Sequence, residues 1–367
     1  MGSAKAILKH IPGFMPAVRK LRDGRDRHKT MKINNRYRAT IEALLDSRTL
    51  EEKITAVQEA ARLHPENAIF YIISQSNEKV GIFGYINCFL PHIAYAVANG
   101  WVPVIDMESH RYIYTPDTGR TNVWEMFFEQ PCGLGLADLT GKKTLRCPEE
   151  LWYRWMPNTC PLMDDAHLAM WARLYQAFVR PNRAGAAYLN RELETILREP
   201  EKTVGVIYRG TTYTKGQAKG HPIQPSMKML ADQTARFMAE QGCDRIYLAS
   251  DEKSIVDYMN SRFPGQVLIN QRVYYDEVDG IDYGDYNKNG TDITGNLFQR
   301  PDNYYLIGIE YISSIHLVSR CACLVAGACG GSTAALYMNG MHYKSKYIFN
   351  LGKYGYDPLP EDNSDGL

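Results

Sequence analysis

The sequence lacks the cysteine spacing, the long apolar runs and the complete nucleotide motifs of several common protein classes. Its eight cysteines form no CxxC pair and no Cys/His cluster at zinc spacing, which predicts free thiols in a reducing, cytosolic setting. No apolar run approaches the roughly 20 residues needed to cross a bilayer, and no secretory signal is visible. The absence of a Walker ending and of a complete GxGxxG after a strand argues against P-loop enzymes and Rossmann dehydrogenases.

The length and the pattern of elements predict two domains. A chain of 367 residues with 45% hydrophobic residues can build two cores. Alternating strands and helices predict an α/β fold with two doubly wound sheets. We expect an N-terminal α/β domain at 39–200, a C-terminal Rossmann-like domain at 201–350 and a tail at 351–367. The aromatic segment 110–160 is interpreted as an insertion that shapes a pocket. We also predict one long or two medium helices at 164–199, broken near Pro181, a helix from about Pro225 to Gln241 with the proline in its first turn, and a helix from Ser332 to Asn339.

The charge is concentrated at the start of the chain. Residues 1–38 hold eleven Lys or Arg and two Asp, a net charge of +9, so with +1 overall the remainder carries −8. This arm is either an interfacial segment on an anionic membrane surface or a solvated tail. Nucleic acid is not expected as a partner, because the rest of the chain is acidic. We therefore expect a cytoplasmic protein that is peripheral at the membrane if the arm binds lipid.

The most informative stretch is an apolar strand, 204–208, that ends in Arg209 and is followed by a loop containing His221. Ligands of open parallel sheets bind at the carboxyl ends of the strands. The planar guanidinium suits an oxyanion, above all a phosphate. A phosphate-bearing small molecule is therefore the first ligand class to consider.

A glycine-rich loop at 327–331, between a buried strand and a helix, is the second signal. Glycines let the backbone approach an anion, and the helix N-terminus offers unpaired N–H groups. Ser332 and Thr333 could add hydroxyl donors. The alternative is that the glycines only permit a tight turn, with Ser332 as the helix cap.

Three other polar features are less specific, because each also fits a structural role. Asp251 and Glu252 follow a strand, where Asp251 either accepts a hydrogen bond from a sugar hydroxyl or caps the next helix. His221 alone is more often a structural loop residue, and Glu310 alone is more often a paired or solvated residue in a helix.

These segments resemble, in order and spacing, the three motifs of the GDP-fucose-dependent fucosyltransferases, which include the α1,6-, nodulation and protein O-fucosyltransferases. The matching segments are 204–209, the pair His221-Pro222, 247–252 and 324–336. The loop Gly81-Ile-Phe-Gly84 and the strand ending at Asp106 are similar to the first glycine loop of the same family. The resemblance spans roughly 68–350, with strong motif identity only at 204–338.

The resemblance implies a GT-B-like fold, with two Rossmann-like domains facing a cleft, and an inverting glycosyltransferase that needs no metal or other cofactor. GDP-fucose would be the donor, and a glycan, which could be lipid-linked, the acceptor. Arg209 would hold the β-phosphate and stabilise charge as GDP leaves. The other donor-binding residues would be Gly84, His221, Asp251, Glu252, Gly330, Gly331, Ser332 and Thr333.

The chain departs from the α1,6 pattern at several positions. Gly210 replaces the second of two adjacent arginines, and Gln217 replaces a carboxylate. The histidine, lysine and first-loop asparagine of the family pattern are Ile207, Tyr213 and Tyr85 here. Because inversion needs a base for the acceptor proton, Asp106, Glu108 and Glu310 are the candidates for this catalytic role. A transferase with another nucleotide-sugar donor, and a non-catalytic glycan- or nucleotide-binding protein, remain alternatives.

Overall fold

The structure, a computed structural model, describes most of the chain. The described residues are 35–44, 48–76, 80–116, 120–148, 165–217, 219–277, 298 and 300–355. Almost all of the predicted basic arm and the last part of the predicted insertion, 149–160, lie outside them. Within the described ranges, no helix combines the length and the apolar character needed to cross a membrane.

A parallel sheet of three described strands is built from the first half of the chain. Its strands are β1 (Ile69–Ile73), β2 (Val102–Ile105) and β3 (Lys143–Arg146), in the order β2-β1-β3. Alternate side chains of β1 and β2 join two different apolar clusters. Helix α1 (Leu50–Leu63) contributes to the cluster on one face and α2 (Ile82–Ala98) packs on the other, so both faces are covered.

Helix α3 (Val123–Phe127) lies between β2 and β3. Two described helices, α4 (Asp165–Phe178) and α5 (Arg183–Ile196), connect this sheet with the second half of the chain. Pro181 lies between α4 and α5, which confirms the predicted break, because proline cannot donate to a helix ladder. Asn182 caps α5 by accepting a hydrogen bond from a backbone N–H of its first turn.

The second half forms a parallel sheet of five strands. They are β4 (Thr203–Tyr208), β5 (Arg245–Ser250), β6 (Val267–Leu268), β7 (Cys323–Gly327) and β8 (Ser345–Phe349). The spatial order is β6-β5-β4-β7-β8, so successive strands are added on one side of β4 and then on the other. This order defines a topological switch point between β4 and β7, where open α/β sheets bind ligands.

Helices cover both faces of the second sheet. In chain order they are α6 (Thr211–Thr214), α7 (Met227–Gln241), α8 (Lys253–Arg262), α9 (Asn303–Arg320) and α10 (Gly330–Asn339). Helices α7 and α8 pack on one face, and α9 and α10 on the other. The predicted α/β class with doubly wound sheets is therefore confirmed. The cluster beneath α9 and α10 continues into α2 and α4, so one apolar core joins the two sheets.

Two predictions for the first half are wrong. The segment 110–160 is not purely an insertion, because its residues 143–146 form β3, which pairs with β1 in register. Its aromatic side chains Trp124, Phe127 and Phe128 are at most 1% exposed and belong to the main core rather than to a pocket. Aromatic residues bury more apolar area than any others, so a cluster of them fits a core as well as a binding site.

Three boundaries in the second half also differ from the predictions. Helix α7 is capped by Ser226, so Pro225 lies before the helix rather than in its first turn. Helix α10 begins at Gly330, two residues earlier than predicted, because the last two glycines of the loop adopt helical backbone. The first part of the predicted tail, 351–355, exchanges backbone hydrogen bonds with 220–223 and so fixes the loop that carries His221.

Candidate active site

Arg209 directly follows β4, at the switch point of the second sheet. Its guanidinium forms an ion pair with Asp251, which follows the neighbouring strand β5. The Asp251 side chain is only 2% exposed, whereas that of Arg209 is 28% exposed. The other Asp251 carboxylate oxygen accepts a hydrogen bond of 3.2 Å from the Gly210 backbone N–H. Asp251 therefore orients Arg209, and its predicted contact with a sugar hydroxyl stays a prediction.

The glycine after Arg209 has a steric role. A Cβ atom at Gly210 would overlap the Glu252 side chain, which is buried against it. Glycine is thus the residue that lets Glu252 pack behind the Arg209 turn. This packing explains why the second arginine of the α1,6 pattern has no place here.

His221 lies near Arg209 through an aromatic neighbour. The rings of His221 and Tyr213 are 4.8 Å apart, and the Arg209 guanidinium lies 5.7 Å from the Tyr213 ring. Burial, reinforced by the positive charge of Arg209, lowers the pKa of His221, so the imidazole is neutral at pH 7. Its Nδ1 atom is buried and has no hydrogen-bond partner within the ranges that the structure describes.

The N-terminus of α10 faces the same edge of the sheet, because it follows β7. Cys329 is its N-cap, and the Ser332 hydroxyl both accepts from the Cys329 N–H and donates to the Cys329 carbonyl oxygen. The Thr333 hydroxyl also donates to that carbonyl. These hydroxyls are thus used within the helix turn, and the unpaired backbone N–H groups of the first turn are the donors left for an anion.

The predicted first glycine loop is the first turn of α2, with Gly81 as its N-cap, rather than a loop. A Cβ atom on Gly330 would lie 3.8 Å from the Gly84 backbone nitrogen and 3.6 Å from the Asn87 amide nitrogen. The first turns of α2 and α10 therefore meet, which brings two predicted site residues from the two halves together. Asn87 is fully buried, and neither atom of its amide has a hydrogen-bond partner in the described part of the chain.

Two functional candidates that sequence reasoning missed complete this cleft. Arg209, Arg272, Tyr311 and Cys329 line it together. The Arg272 guanidinium lies 5.9 Å from the Tyr311 ring, and the Phe83 ring packs edge-on against the same ring at 4.9 Å. Neither Arg272 nor Tyr311 belongs to a recognisable motif, so no sequence signal pointed to them.

Asp106, a predicted catalytic base, lies at the carboxyl end of β2 with both oxygens engaged. It accepts hydrogen bonds from the Ser109 hydroxyl at 2.6 Å and from Arg146 Nη1 at 3.1 Å, besides the backbone N–H groups of Glu108 and Ser109. Burial opposes ionisation, but these hydrogen bonds outweigh it and lower the pKa of Asp106. Its carboxylate is therefore a weak base.

Glu310, the second candidate, is also occupied. Arg300 binds it through two parallel hydrogen bonds of 2.8 and 2.9 Å, and only 8% of the Glu310 side chain is exposed. Glu108, the third candidate, instead borders an open groove of about 620 Å³ near the end of β2. Of the three, Glu108 is the one without an ion pair among the described residues.

Comparisons with known proteins give similarity at the level of structure only. No protein-family profile and no curated protein match the sequence. A NodZ α1,6-fucosyltransferase co-crystallised with GDP matches at 13% identity and a TM-score of 0.42, over 72% of this chain and 91% of that one. NodZ from Bradyrhizobium matches at 14% identity and a TM-score of 0.43, over 78% of this chain and 96% of that one. POFUT1 in complex with GDP-fucose matches at 10% identity and a TM-score of 0.41, over 77% of this chain and 98% of that one.

These TM-scores all lie below 0.5, and the identities are 14% or less. The function is therefore inferred from the residues of the cleft and from their geometry.

Proposed function

We propose that this chain is an inverting, metal-independent glycosyltransferase that transfers fucose from GDP-fucose to a glycan acceptor. The observation that carries the proposal is the arrangement at the switch point. There, a partly exposed arginine, oriented by a buried aspartate, lies at the sheet edge where the N-terminus of α10 begins. An oriented guanidinium and a helix N-terminus are both suited to a diphosphate. The choice of guanine and fucose rests on the motif resemblance.

The proposed reaction has two parts, the departure of GDP and the deprotonation of the acceptor, and different residues serve each. The acceptor oxygen would attack the anomeric carbon while the bond from that carbon to the β-phosphate oxygen breaks. Arg209 and the first turn of α10 would stabilise the negative charge that develops on GDP, in place of a divalent cation. The acceptor proton would pass to a base, and we assign this role to Glu108, since Asp106 and Glu310 are both held by arginines.

A thermal-shift panel with a transfer assay, both run in EDTA, tests the proposal. A ligand that binds only the native state raises its stability by a known concentration law. We expect stabilisation by GDP and GDP-fucose but not by UDP, and fucose transfer to a glycan library. Both should be lost in Arg209→Ala and kept in Arg245→Ala, which changes an arginine at the amino end of β5. Absence of any guanine nucleotide effect in the wild type would overturn the proposal.

A donor-binding protein without catalysis is the second candidate. The observation in its favour is that two of the three candidate bases are neutralised by ion pairs and that the usual base position is Gln217. Binding of GDP-fucose without transfer or hydrolysis across the glycan library would support it. Loss of transfer, with donor binding kept, in Glu108→Gln would instead support the enzyme and the assigned base.

A further inference from the structure

We propose that Arg272 is a second diphosphate-binding residue, supplied from the segment after β6 and acting beside Arg209. This inference rests on the proposed function of the cleft and adds a residue that no motif identifies. The family pattern has two adjacent arginines. In this chain Gly210 occupies the second position, where a Cβ atom would overlap the Glu252 side chain.

The surroundings of Arg272 leave its charge available. Its Nη1 donates to the Ser314 hydroxyl at 3.3 Å, while its buried Nε has no hydrogen-bond partner among the described residues. No carboxylate in the described part of the chain forms an ion pair with it, in contrast to Arg209 and Arg300. A buried guanidinium N–H without an acceptor is costly unless a ligand supplies one. Arg272 and Arg209 line the same cavity, which has a volume of about 10 Å³, so an oxyanion that contacts both arginines requires this cavity to widen on binding.

The segment that carries Arg272 is fixed on both sides. Before it, the fully buried Asn270 accepts hydrogen bonds from the Tyr247 and Ser314 hydroxyls at 3.0 and 2.8 Å. After it, the Tyr275 backbone N–H donates to the Asp251 carbonyl oxygen at 2.9 Å, and Asp276 accepts from backbone N–H groups that open α8. Hydrogen bonds thus fix the backbone on both sides of Arg272, which reduces the entropy lost on binding.

The two arginines also have neighbours in common. Asp251 contacts Arg209 through its side chain and holds the Arg272 segment through its backbone. The Tyr311 ring lies 5.9 Å from the Arg272 guanidinium and lines the same cavity as Arg209. The two cations are therefore positioned by shared neighbours, as a pair that binds one ligand requires.

Isothermal titration with GDP, GMP and inorganic pyrophosphate tests this inference on the full chain. We expect Arg272→Ala to weaken GDP and pyrophosphate roughly 10- to 100-fold, the range of a lost charged hydrogen bond, and to reduce the preference for GDP over GMP. The affinity of Arg272→Lys should lie between those of the wild type and of Arg272→Ala, because lysine keeps the charge but loses the planar fork. The matched control is Arg245→Ala, which lies at the opposite edge of the same sheet and should bind like the wild type.

Unchanged affinity of Arg272→Ala for both diphosphates, in a wild type that binds them, would overturn the role of Arg272 and leave the proposed function standing. A wild type that binds neither diphosphate would overturn both. If the alanine variant does not fold, the lysine variant decides: a loss of less than about threefold would refute the inference. A merely structural role would lower stability without changing the preference for GDP over GMP.

Discussion

The α-carbon of Gly210 lies directly against the Glu252 side chain, so these two residues fit only because one of them has no Cβ atom. The contact joins the turn after β4 to the turn after β5, and Arg209 and Asp251 stand beside it in the same two turns. The position of Arg209 is thus fixed by a turn in which its neighbour, Gly210, carries no side chain.

Gly210→Ala should therefore destabilise the protein by about 1–3 kcal/mol, the usual cost of overpacking a buried site, and should weaken GDP binding. A double-mutant cycle with Glu252→Ala checks the cause, measured by urea denaturation. Removing the Glu252 side chain should recover most of the loss. Purely additive effects would show that the overlap is not responsible.

Asp251→Ala should lower GDP affinity about tenfold, although Asp251 need not touch the ligand. The substitution removes the ion pair that orients Arg209 and the acceptor of the Gly210 N–H, at a cost of about 1–3 kcal/mol in stability. Because Asp251 acts through Arg209, it should cause no further loss of GDP affinity in an Arg209→Ala background. A further tenfold loss there would indicate direct contact between Asp251 and the donor.

Glu310→Leu should destabilise the fold by about 2–3 kcal/mol, since it leaves Arg300 without its partner in a mostly buried position. The double variant Arg300→Met/Glu310→Leu should recover much of this stability, because apolar replacement of both partners is often tolerated. Fucose transfer, assayed below the unfolding temperature of each variant, should be kept in both variants, because Glu310 has no assigned part in the reaction. A stable double variant without transfer would restore Glu310 as a candidate base.

Stability should fall as the pH falls below about 6.5. Burial lowers the pKa of His92 from 6.5 to about 3 in the folded state, so over that interval the unfolded state binds a proton that the folded state does not. The contribution of His92 is about 1.4 kcal/mol per pH unit. Urea denaturation at pH 7, 6 and 5 should show a smaller slope in His92→Gln.

Asn87→Leu should raise the free energy of unfolding by about 1 kcal/mol, because both atoms of this fully buried amide lack partners. The same change should weaken GDP binding, since the amide lies beside the meeting first turns of α2 and α10. Thermal unfolding and titration with GDP measure the two effects. A less stable variant with unchanged affinity would mean that Asn87 has only a packing role.

Local sequence was sufficient for the outline of the second half. The apolar strand ending in Arg209, the strand before Asp251 and the strand before the glycine loop are each recognisable without neighbours, because burial on both sides of a parallel sheet requires continuous apolar runs. Parallel strands that end at one edge also bring these three signals together. The first half is less recognisable from its sequence, since the short strand Lys143–Arg146 is mostly polar and is exposed along its length.

What the sequence determined by itself was therefore the α/β class and the presence of Arg209, Asp251 and the N-terminus of α10 at one sheet edge. Only the tertiary structure decided that Arg146 and Arg300 neutralise two candidate bases, and that Arg272, Tyr311 and Asn87 join the site. The physical reason is that strand and helix patterns depend on neighbouring residues in the chain. Ion pairs and cleft walls instead depend on residues from distant segments, which meet only when the sheets and helices pack.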